Sequence, residues 1–447
     1  MTTLAEHPTV IHLRTVQTSQ PTPASGAGLR ADWLRQLCLD AGADDVGFVE
    51  LQRAELDDQR AEILQVFPQA KTLLSIVCRM NREPIRSPAR GIANLEFHAA
   101  TDEVTEVGHR IVRLLEQEGI RALNPAAGFP MEMDNFPGKT WVVSHKPVAV
   151  AAGLGQMGIH RNVIHPKFGN FILLGTILLD RLVDENDQPI DYNPCLSCKL
   201  CVAACPVGAI GADGAFNFAS CYTHNYREFM GGFTDWAETL VSSKTVATYR
   251  QQFNDSETVS MWQSLSFGAN YKAAYCMAVC PAGEDVIAPF LADRKSFLAE
   301  IVKPLQQKVE TVYVTPGSDA EVHVTKRFPH KRVKRVNNGL RVSSIEGFLS
   351  GLPLVFKKNQ AEGLKLVYHF TFTGAEQRKA TVIIQNGSVQ VQAEHVGKAA
   401  CRLLADSTTW LKFLRKEQNL LWAFVRGKIR LQGSPRLLLT FGRLFSS

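Results

Sequence analysis

Six of the ten cysteines form two strings, and each string ends in Cys-Pro. They are Cys195, Cys198, Cys201 and Cys205 in the first string, and Cys276 and Cys280 in the second. The spacing C-x2-C-x2-C-x3-C-P lets three thiolates on one tight loop wrap a cube of iron and sulfide while the fourth reaches a neighbouring cluster. Zinc is the alternative, because C-x2-C is also a zinc-knuckle spacing. Four cysteines within eleven residues, followed by a second Cys-Pro, favour iron–sulfur clusters.

The crossed ligation of such strings assigns the cysteines to two clusters. Cys280 is expected to join the first three cysteines of the first string on one [4Fe-4S] cluster. The second cluster lacks one thiolate, because the first cysteine of its string falls at a position occupied by Ala273. A further cysteine completes the second set, which is Cys205, Cys221 and Cys276. Three thiolates hold a [3Fe-4S] cluster, or a [4Fe-4S] cluster whose fourth ligand comes from elsewhere, with His224 as a candidate.

Length and composition exclude several classes of protein. The 447 residues allow two to four domains and exclude a single small module. The contents of 45% hydrophobic and 21% charged residues are near those of soluble globular proteins. No stretch approaches the roughly 18 apolar residues that a membrane-spanning helix needs. Residues 1–27 are rich in Thr, Ser, Pro and Gly and predict a mobile leader without an export signal. A cytoplasmic location follows, where disulfides are rare.

Charge divides the chain into two parts. Residues 326–447 contain 22 Lys and Arg but 6 Asp and Glu, whereas the residues before them contain 27 and 37. The basic part is therefore expected to meet an anionic partner such as lipid headgroups, nucleic acid or the acidic body itself. A solvated basic face is the alternative.

Periodicity predicts an α/β body in the first part of the chain. Helices are expected at 29–40, 61–67 and 105–118, and strands at 46–49, 72–78 and 171–179. Two helices are expected within 215–270, with Gly231-Gly232 in a loop, and a helical segment at 282–310. Two short strands are expected within 312–328, and a basic linker at 326–341.

The last hundred residues have a different pattern, which predicts an α+β domain. The expected elements are a helix from 345, strands at 364–373, 380–385 and 388–393, a helix at 408–424 and a strand at 428–431. Asn386-Gly387 is typical of the turn in a β-hairpin. The segment 408–425 is more apolar than one helix face needs, so its side chains line a cavity or form a plain core.

The segment Gly153-Leu154-Gly155-Gln156-Met157-Gly158 matches G-x-G-x-x-G. A dinucleotide site also needs a helix after the glycines. Pro166 and Gly169 interrupt the residues that follow, so nucleotide binding is not expected. The glycines instead allow backbone to approach another flat ligand, or make a tight turn.

Residues 29–290 resemble the superfamily of epoxyqueuosine reductases and reductive dehalogenases. The resemblance rests on the glycine segment, Ile164-His165-Pro166-Lys167-Phe168-Gly169, Leu174-Gly175 and the order of the cysteine strings. It implies two [4Fe-4S] clusters that deliver electrons to a base-off cobalamin lying against an α/β domain. It also matches Cys221 to a family cysteine. The cofactor-binding residues are then expected to be Gly153, Leu154, Gly155 and Gly158.

One departure from this superfamily concerns the proton donor. Epoxyqueuosine reductases use an Asp shortly before the glycine segment, and our alignment places Lys139 there. Candidate catalytic residues in this sequence are Lys139, His145 and His160. Exported dehalogenases begin with a twin-arginine signal, which is not found in this sequence.

Residues 345–445 resemble sterol-carrier-protein-like domains. The resemblance rests on the order helix, three strands, Asp406-Ser407-Thr408-Thr409-Trp410 and the segment 423–433. It implies an apolar tunnel for sterols or acyl chains.

The expected domains are a leader at 1–27, an α/β corrinoid-reductase-like domain at 28–190 and a ferredoxin-like iron–sulfur domain at 191–290. A helix and basic linker at 291–344 and a lipid-binding domain at 345–447 follow. The leading hypothesis is an iron–sulfur reductase, corrinoid-dependent, acting on an apolar or lipid-like substrate. Its expected partners are an electron donor of the ferredoxin or flavodoxin type, a lipid ligand and the membrane surface, rather than nucleic acid. The alternatives are a redox-sensing or electron-transfer protein that docks on lipid, and an epoxyqueuosine-type tRNA-modifying reductase.

Overall fold

The computed structural model describes residues 28–136, 138–195, 198–415 and 417–445. The expected leader at 1–27 lies outside these residues. Within the described ranges, no helix is both long and apolar enough to cross a bilayer.

The N-terminal region alternates helices and strands. It begins with α1 (Ala31–Asp40), β1 (Asp45–Glu50), α2 (Arg60–Val66) and β2 (Thr72–Arg79). It continues with α3 (Arg82–Arg86), α4 (Arg90–Gln117), β3 (Ala122–Leu123), α5 (His145–Ala151), β4 (Gln156–Met157), β5 (Val163–Ile164) and β6 (Ile172–Leu179).

The main sheet of this region has the strand order β1-β2-β6-β3, and all neighbouring strands are antiparallel. Helices and strands alternate as expected, without the parallel pairing of a doubly wound α/β sheet. Strands β2 and β6 are buried over nearly their whole length. Helix α4 packs on β6 closely, since a Cβ atom on Gly175 would lie 3.1 Å from the Val104 side chain. This helix begins 15 residues before the expected start at 105.

The central region is mostly helical. Its first elements are α6 (Leu200–Ala204), α7 (Phe218–Asn225), α8 (Gly231–Ser242), α9 (Val246–Gln252), α10 (Asp255–Phe267) and α11 (Tyr275–Ala278). There follow α12 (Glu284–Ala292), α13 (Arg294–Phe297), a π-helical turn (Leu298–Val302), α14 (Lys303–Gln307), β7 (Thr311–Val314), α15 (Asp319–Arg327) and β8 (Arg332–Arg335).

Three local predictions in this region are wrong. The segment 215–270 contains four helices, α7 to α10, instead of two. Gly231 and Gly232 begin helix α8 instead of forming a loop. They are glycines because a Cβ atom on Gly231 would lie 2.2 Å from the Asn338 carbonyl oxygen. The second strand expected within 312–328 is helix α15, whose first turn is capped by the Ser318 hydroxyl.

The expected basic linker at 326–341 is also wrong, because part of this segment belongs to the fold. Strand β8 pairs in parallel with β7. Lys331 is buried, and its ammonium lies 2.7 Å from the Glu310 carboxylate. Lys334 lies 2.6 Å from Glu257. Opposite charges from earlier in the chain therefore neutralise these lysines.

The C-terminal region is an α+β domain, as expected. Its elements are α16 (Ile345–Val355), β9 (Lys365–Thr373), β10 (Arg378–Gln385), β11 (Ser388–Ala393), β12 (Cys401–Asp406), α17 (Ser407–Leu414), α18 (Leu420–Val425), β13 (Ile429–Gln432) and α19 (Pro435–Phe445). The sheet order is β11-β10-β9-β12-β13, with only β9 and β12 parallel in this sheet.

Three features of this domain differ from expectation. Strand β12 and helix α19 are additional elements. The helix expected at 408–424 is two helices, α17 and α18. The apolar side chains of this segment split between core and surface, since Trp410 is 2% exposed but Leu421 is 72% exposed.

Candidate iron–sulfur site

Five of the seven predicted ligand cysteines lie in or beside the central core, and all seven are free thiols; the five are Cys198, Cys201, Cys205, Cys221 and Cys276. Lys199 and Ala274 have left-handed φ values of 49° and 55°, and each precedes a short helix, α6 or α11. The second residue of each helix is a ligand candidate, Cys201 or Cys276. The two helices contact each other, so they bring the two strings together.

The first predicted set shows mutual electrostatic influence, which places its thiols near one another. Burial raises the pKa of Cys201, and charge on Cys276, Cys280, Cys198 and Cys195 acts in the same direction. Burial also raises the pKa of Cys280 to about 12, with Cys198 and Cys195 contributing. Thiols that ionise so poorly become thiolates only when a metal displaces the proton.

The second set is grouped in the same way. Burial raises the pKa of Cys221, and Cys205 and Cys276 add to the shift. Burial raises the pKa of Cys276 to about 12, with Cys205 next in importance. Because Cys276 also influences Cys201, the two groups adjoin. The fold therefore brings the seven cysteines close together, and their division into two ligand sets stays a prediction.

Backbone N–H groups are directed at two of these sulfurs. The Ile159 N–H donates to Cys195 Sγ over 3.3 Å, and the Ala209 N–H donates to Cys205 Sγ over 3.3 Å. Burial raises the pKa of Cys205, whereas backbone donors in 207–210 lower it. Hydrogen bonds of this kind tune the reduction potential of an iron–sulfur cluster.

The predicted glycine segment packs tightly against the chain itself. A Cβ atom on Gly153 or Gly155 would lie 2.6 Å or 2.5 Å from a backbone carbonyl oxygen. On Gly158 it would lie 2.8 Å from the His160 ring. Leu154 is buried. These contacts match the tight-turn interpretation, and a cofactor contact for the four residues stays a prediction.

Two arginines adjoin the cysteine groups, and of these Arg90 is buried and Arg86 is partly buried. Nε and Nη2 of both Arg86 and Arg90 have no hydrogen-bond partner within the described part of the chain. Burial lowers the pKa of both guanidinium groups, and charge on Cys280 near Arg86 and on Cys276 near Arg90 acts against this shift. Buried cations with unused donors suit an anionic group. These residues therefore fit thiolate-ligated iron–sulfur clusters.

His224, the candidate fourth ligand, lies against strand β7. Its Nδ1 accepts a hydrogen bond from the Tyr313 N–H over 3.4 Å, and burial lowers its pKa to about 4. Its Nε2 has no partner among the described residues. In the ranges that the structure describes, no three His, Cys, Asp or Glu side chains could hold one metal ion. A cluster differs from such a site, because each cysteine bonds an iron atom of its own.

Two of the three candidate catalytic residues are engaged by the protein. The Lys139 ammonium lies 3.5 Å from the Glu62 carboxylate. His145 is buried with both ring nitrogens bonded, Nδ1 to Thr176 Oγ1 at 2.9 Å and Nε2 to the Ala126 carbonyl oxygen at 3.0 Å. Burial lowers the pKa of His145. The catalytic role of both residues stays a prediction.

His160 is the candidate with an unused ring nitrogen. The ring is 4% exposed, and Nδ1 accepts the Asn162 N–H over 3.1 Å. Nε2 has no partner within the described ranges. Burial, and then the charge of Lys146, lower the pKa of His160 to about 4. The imidazole is therefore neutral at physiological pH.

Lys146 is a site residue that the sequence analysis missed. Its Nζ donates to the Arg161 carbonyl oxygen at 2.7 Å and to Asn162 Oδ1 at 2.9 Å. The side chain is open to solvent, yet surrounding protein lowers its pKa, while charge on Cys276 and Cys221 acts against this shift. Lys146 thus lies beside the second cysteine set. Nothing in the sequence selects Lys146, because it belongs to no motif with a defined spacing.

Two family models match the chain. Residues 189–211 match the 4Fe-4S binding domain, which supports iron–sulfur clusters over zinc for the first string. Residues 355–446 match the SCP-2 sterol transfer family.

Curated relatives match part of the chain. An epoxyqueuosine reductase of Gloeobacter violaceus is 26% identical over 179 residues, which are 40% of this chain and 53% of that protein. An epoxyqueuosine reductase of Lactococcus garvieae is 36% identical over 169 residues, or 37% of this chain and 46% of that protein. The chain spans about half the length of these relatives.

Solved structures give more distant matches. The catabolic reductive dehalogenase NpRdhA is 16% identical, covers 64% of this chain and 36% of its own, and has a TM-score of 0.40. An epoxyqueuosine reductase with a tRNA stem loop is 17% identical, with coverages of 66% and 81% and a TM-score of 0.34. Both resemblances predicted from the sequence are confirmed by the curated relatives and the family models. The chain joins a region similar to epoxyqueuosine reductases to a C-terminal region that matches the SCP-2 sterol transfer family.

Proposed function

We propose that this protein is an iron–sulfur reductase of the epoxyqueuosine reductase and reductive dehalogenase type. The observation that carries the proposal is the gathering of seven free thiols beside Arg86 and Arg90, whose guanidinium groups have unused donors. When bound, two clusters supply the low-potential single electrons that a reductase needs. A donor of the ferredoxin or flavodoxin type would dock near the exposed residues 191–193, which lead into Cys195.

The region around Lys146 and His160, beside the second cysteine set, is the proposed substrate site. The Lys146 ammonium can hold a proton or a polar substrate group there. His160, neutral and with Nε2 unused, can accept or donate a hydrogen bond. In this proposal, Lys146 and His160 orient the substrate.

A corrinoid belongs to this proposal through the family resemblance. When bound, it supplies a cobalt centre that accepts single electrons. The glycine segment approaches its own backbone, so these glycines provide no open cradle for a ring. No step of the proposed mechanism therefore depends on the corrinoid, and cobalt content after reconstitution tests it separately.

The C-terminal domain is proposed to bind an apolar or lipid-like ligand, which makes a lipid the proposed substrate class. Helix α18 presents Leu421, Trp422 and Val425 to solvent with exposures of 72%, 60% and 76%. Arg426 and Lys428 follow directly and are exposed. An apolar face bordered by cations is typical of peripheral contact with an anionic membrane.

Metal analysis and single-turnover kinetics test the reductase proposal. Full-length protein is prepared without oxygen, and iron, sulfide and cobalt are counted per chain. We expect about seven or eight irons. Dithionite-reduced protein is then mixed with candidate substrates, and reoxidation of the clusters is followed optically. A preparation without iron after reconstitution would refute the proposal.

Matched variants locate the substrate site. Lys146→Met and His160→Gln are expected to slow substrate-driven reoxidation by about 100-fold at unchanged iron content, as for the loss of a proton-transfer group. Lys139→Met is the control, because the Lys139 ammonium pairs with the Glu62 carboxylate and not with the groups around Lys146. Equal slowing in Lys139→Met would show that the substrate site is not confined to the region around Lys146 and His160.

A tRNA-modifying reductase is the second candidate function, favoured by the curated relatives named epoxyqueuosine reductase. It predicts binding of an epoxyqueuosine-containing stem loop that weakens steeply with salt. A third candidate, an electron-transfer or redox-sensing protein on lipid, predicts clusters that bind lipid vesicles without reducing any substrate. The same reoxidation assay, run with stem loop and with lipid, separates the three.

A further inference from the structure

The two cysteine strings have the same local conformation, which allows a position-by-position comparison. Lys199 and Ala274 both have left-handed φ and both precede a short helix. Cys201 and Cys276 are the second residues of these helices, and Cys-Pro follows four residues later in both strings. Cys198 in the first string therefore corresponds to Ala273 in the second.

Ala273 occupies this position within the fold of the second string. It is 6% exposed, and its N–H donates to Asn225 Oδ1 over 2.9 Å. The neighbouring Lys272 N–H donates to the Asn225 carbonyl oxygen over 3.2 Å. Asn225 lies one helical turn after Cys221 on α7. Helix α7 thus holds Cys221 against the ligand turn, although the turn has a methyl group where a thiolate is expected.

Three polar side chains near this corner, Asn225, Glu228 and His224, are further ligand candidates. Asn225 Oδ1 accepts the Ala273 N–H, and the buried Glu228 carboxylate accepts from Lys272 and Ser260. His224 has its Nδ1 on the Tyr313 backbone. Of these, only His224 Nε2 lacks a partner within the described ranges. The His224 imidazole is therefore the alternative fourth ligand to be tested.

We propose that the second cluster is held by Cys205, Cys221 and Cys276 alone, and that the iron at its Ala273 corner is exchangeable. The inference rests on the proposed function, because it needs two clusters. An iron without a thiolate is coordinated by water or by an oxygen or nitrogen atom of a substrate. One-electron oxidation by ferricyanide converts [4Fe-4S]2+ to [3Fe-4S]+ and releases one Fe2+, and ferricyanide becomes ferrocyanide. Added Fe2+ and one electron from dithionite reverse the reaction.

Iron counting and EPR on the full chain test this proposal. Wild-type protein is oxidised with ferricyanide and desalted without oxygen. We expect iron to fall from about eight to about seven per chain, with the EPR signal of an oxidised three-iron cluster. Fe2+ and dithionite are expected to restore the lost iron.

The variant Ala273→Cys is expected to keep all irons after ferricyanide and to give no three-iron signal. Ala203→Cys, which adds a thiol on α6 outside the ligand pattern, is expected to lose iron like wild type. His224→Ala is also expected to behave like wild type.

Retention of all irons by wild-type protein, or equal iron loss in Ala273→Cys, would overturn the inference while leaving a two-cluster reductase intact. If only His224→Ala lost iron, His224 would be the fourth ligand and the corner would be closed. Protein with no iron at all would instead refute the proposed function.

Discussion

The cores of the central region and the C-terminal domain are built differently. The central region buries ion pairs, such as Arg227–Asp235 at 2.7 Å and Lys331–Glu310 at 2.7 Å, next to seven thiols. The C-terminal core is apolar and rich in rings that contact one another, which include Phe348, Phe370, Phe372 and Trp410. One region stabilises charge, and the other excludes water.

This difference separates the central region, which holds the proposed clusters, from the C-terminal domain, which folds around an apolar core. Arginines with unused buried donors are costly without a charged group beside them. The central region is therefore expected to depend on its clusters for stability. The C-terminal domain has a core of its own and is expected to remain folded when the clusters are lost.

Removing a ligand of the first cluster gives the largest expected effect. Cys280→Ser is expected to abolish the first cluster, to lower iron content by about four per chain and to destabilise the central region. Iron analysis and thermal unfolding of the full chain measure both effects. Cys401→Ser is the control, since Cys401 lies buried on β12. If Cys280→Ser had the iron content and thermal unfolding of wild type, the central region would not depend on its clusters in the way that distinguishes it from the C-terminal domain.

A large substitution in the C-terminal core is expected to act on that domain alone. Trp410 contacts four phenylalanine rings and is 2% exposed. Trp410→Ala should lower the free energy of unfolding of this domain by about 3–5 kcal/mol, because it leaves a cavity. Denaturant unfolding measures the loss, and iron content is expected to be unchanged. Trp422→Ala, at a 60% exposed position, should cost less than about 0.5 kcal/mol.

The sequence predicted the iron–sulfur character of the first cysteine string, which the family model over residues 189–211 supports, because cluster chemistry constrains ligand spacing. It also located buried strands such as 72–78 and 171–179, where apolar runs are unbroken. The prediction failed at 319–327, where the cap from Ser318 to the Glu321 N–H, 3.3 Å long, outweighs the apolar alternation. That cap was readable as Ser-x-x-Glu.

Other features could not be read from local sequence, because distant residues decide them. Gly231 is a glycine within a helix because the Asn338 carbonyl oxygen leaves no room for a Cβ atom. Lys331 is buried because Glu310 pairs with it. Lys146 reaches the second cysteine set only through the fold of α5. Such contacts join residues far apart in sequence, and no local spacing predicts them.

The arginines beside the cysteine groups allow a smaller test of the central region. Arg90 lies near Cys276, and Arg90→Gln removes a positive charge beside the second cluster. We expect its reduction potential to become more negative by the equivalent of about 1–2 kcal/mol per electron. Redox titration followed by EPR measures the shift. Arg90→Lys keeps the charge and should restore most of the potential, whereas a purely structural role would leave both variants alike.

The smallest expected effect concerns the helix cap of the C-terminal domain. The Thr409 hydroxyl and N–H donate to Asp406 Oδ1 at 2.6 Å and 3.0 Å. The Thr409 hydroxyl, above all, holds the pKa of Asp406 below its usual range. Asp406→Ala should cost about 1 kcal/mol, as for loss of an N-cap.

The pH dependence of this cap separates its charge from its hydrogen bonds. A carboxylate with a lowered pKa stabilises the fold at pH values above its unfolded pKa, and this contribution disappears as the pH falls through the folded value. Asp406→Asn also caps the helix but does not titrate. Its C-terminal domain should therefore match wild type near pH 7 and lose less stability towards acid. Denaturant midpoints of the two proteins from pH 7 to below pH 4 measure the difference, and parallel curves would assign the acid sensitivity to other carboxylates.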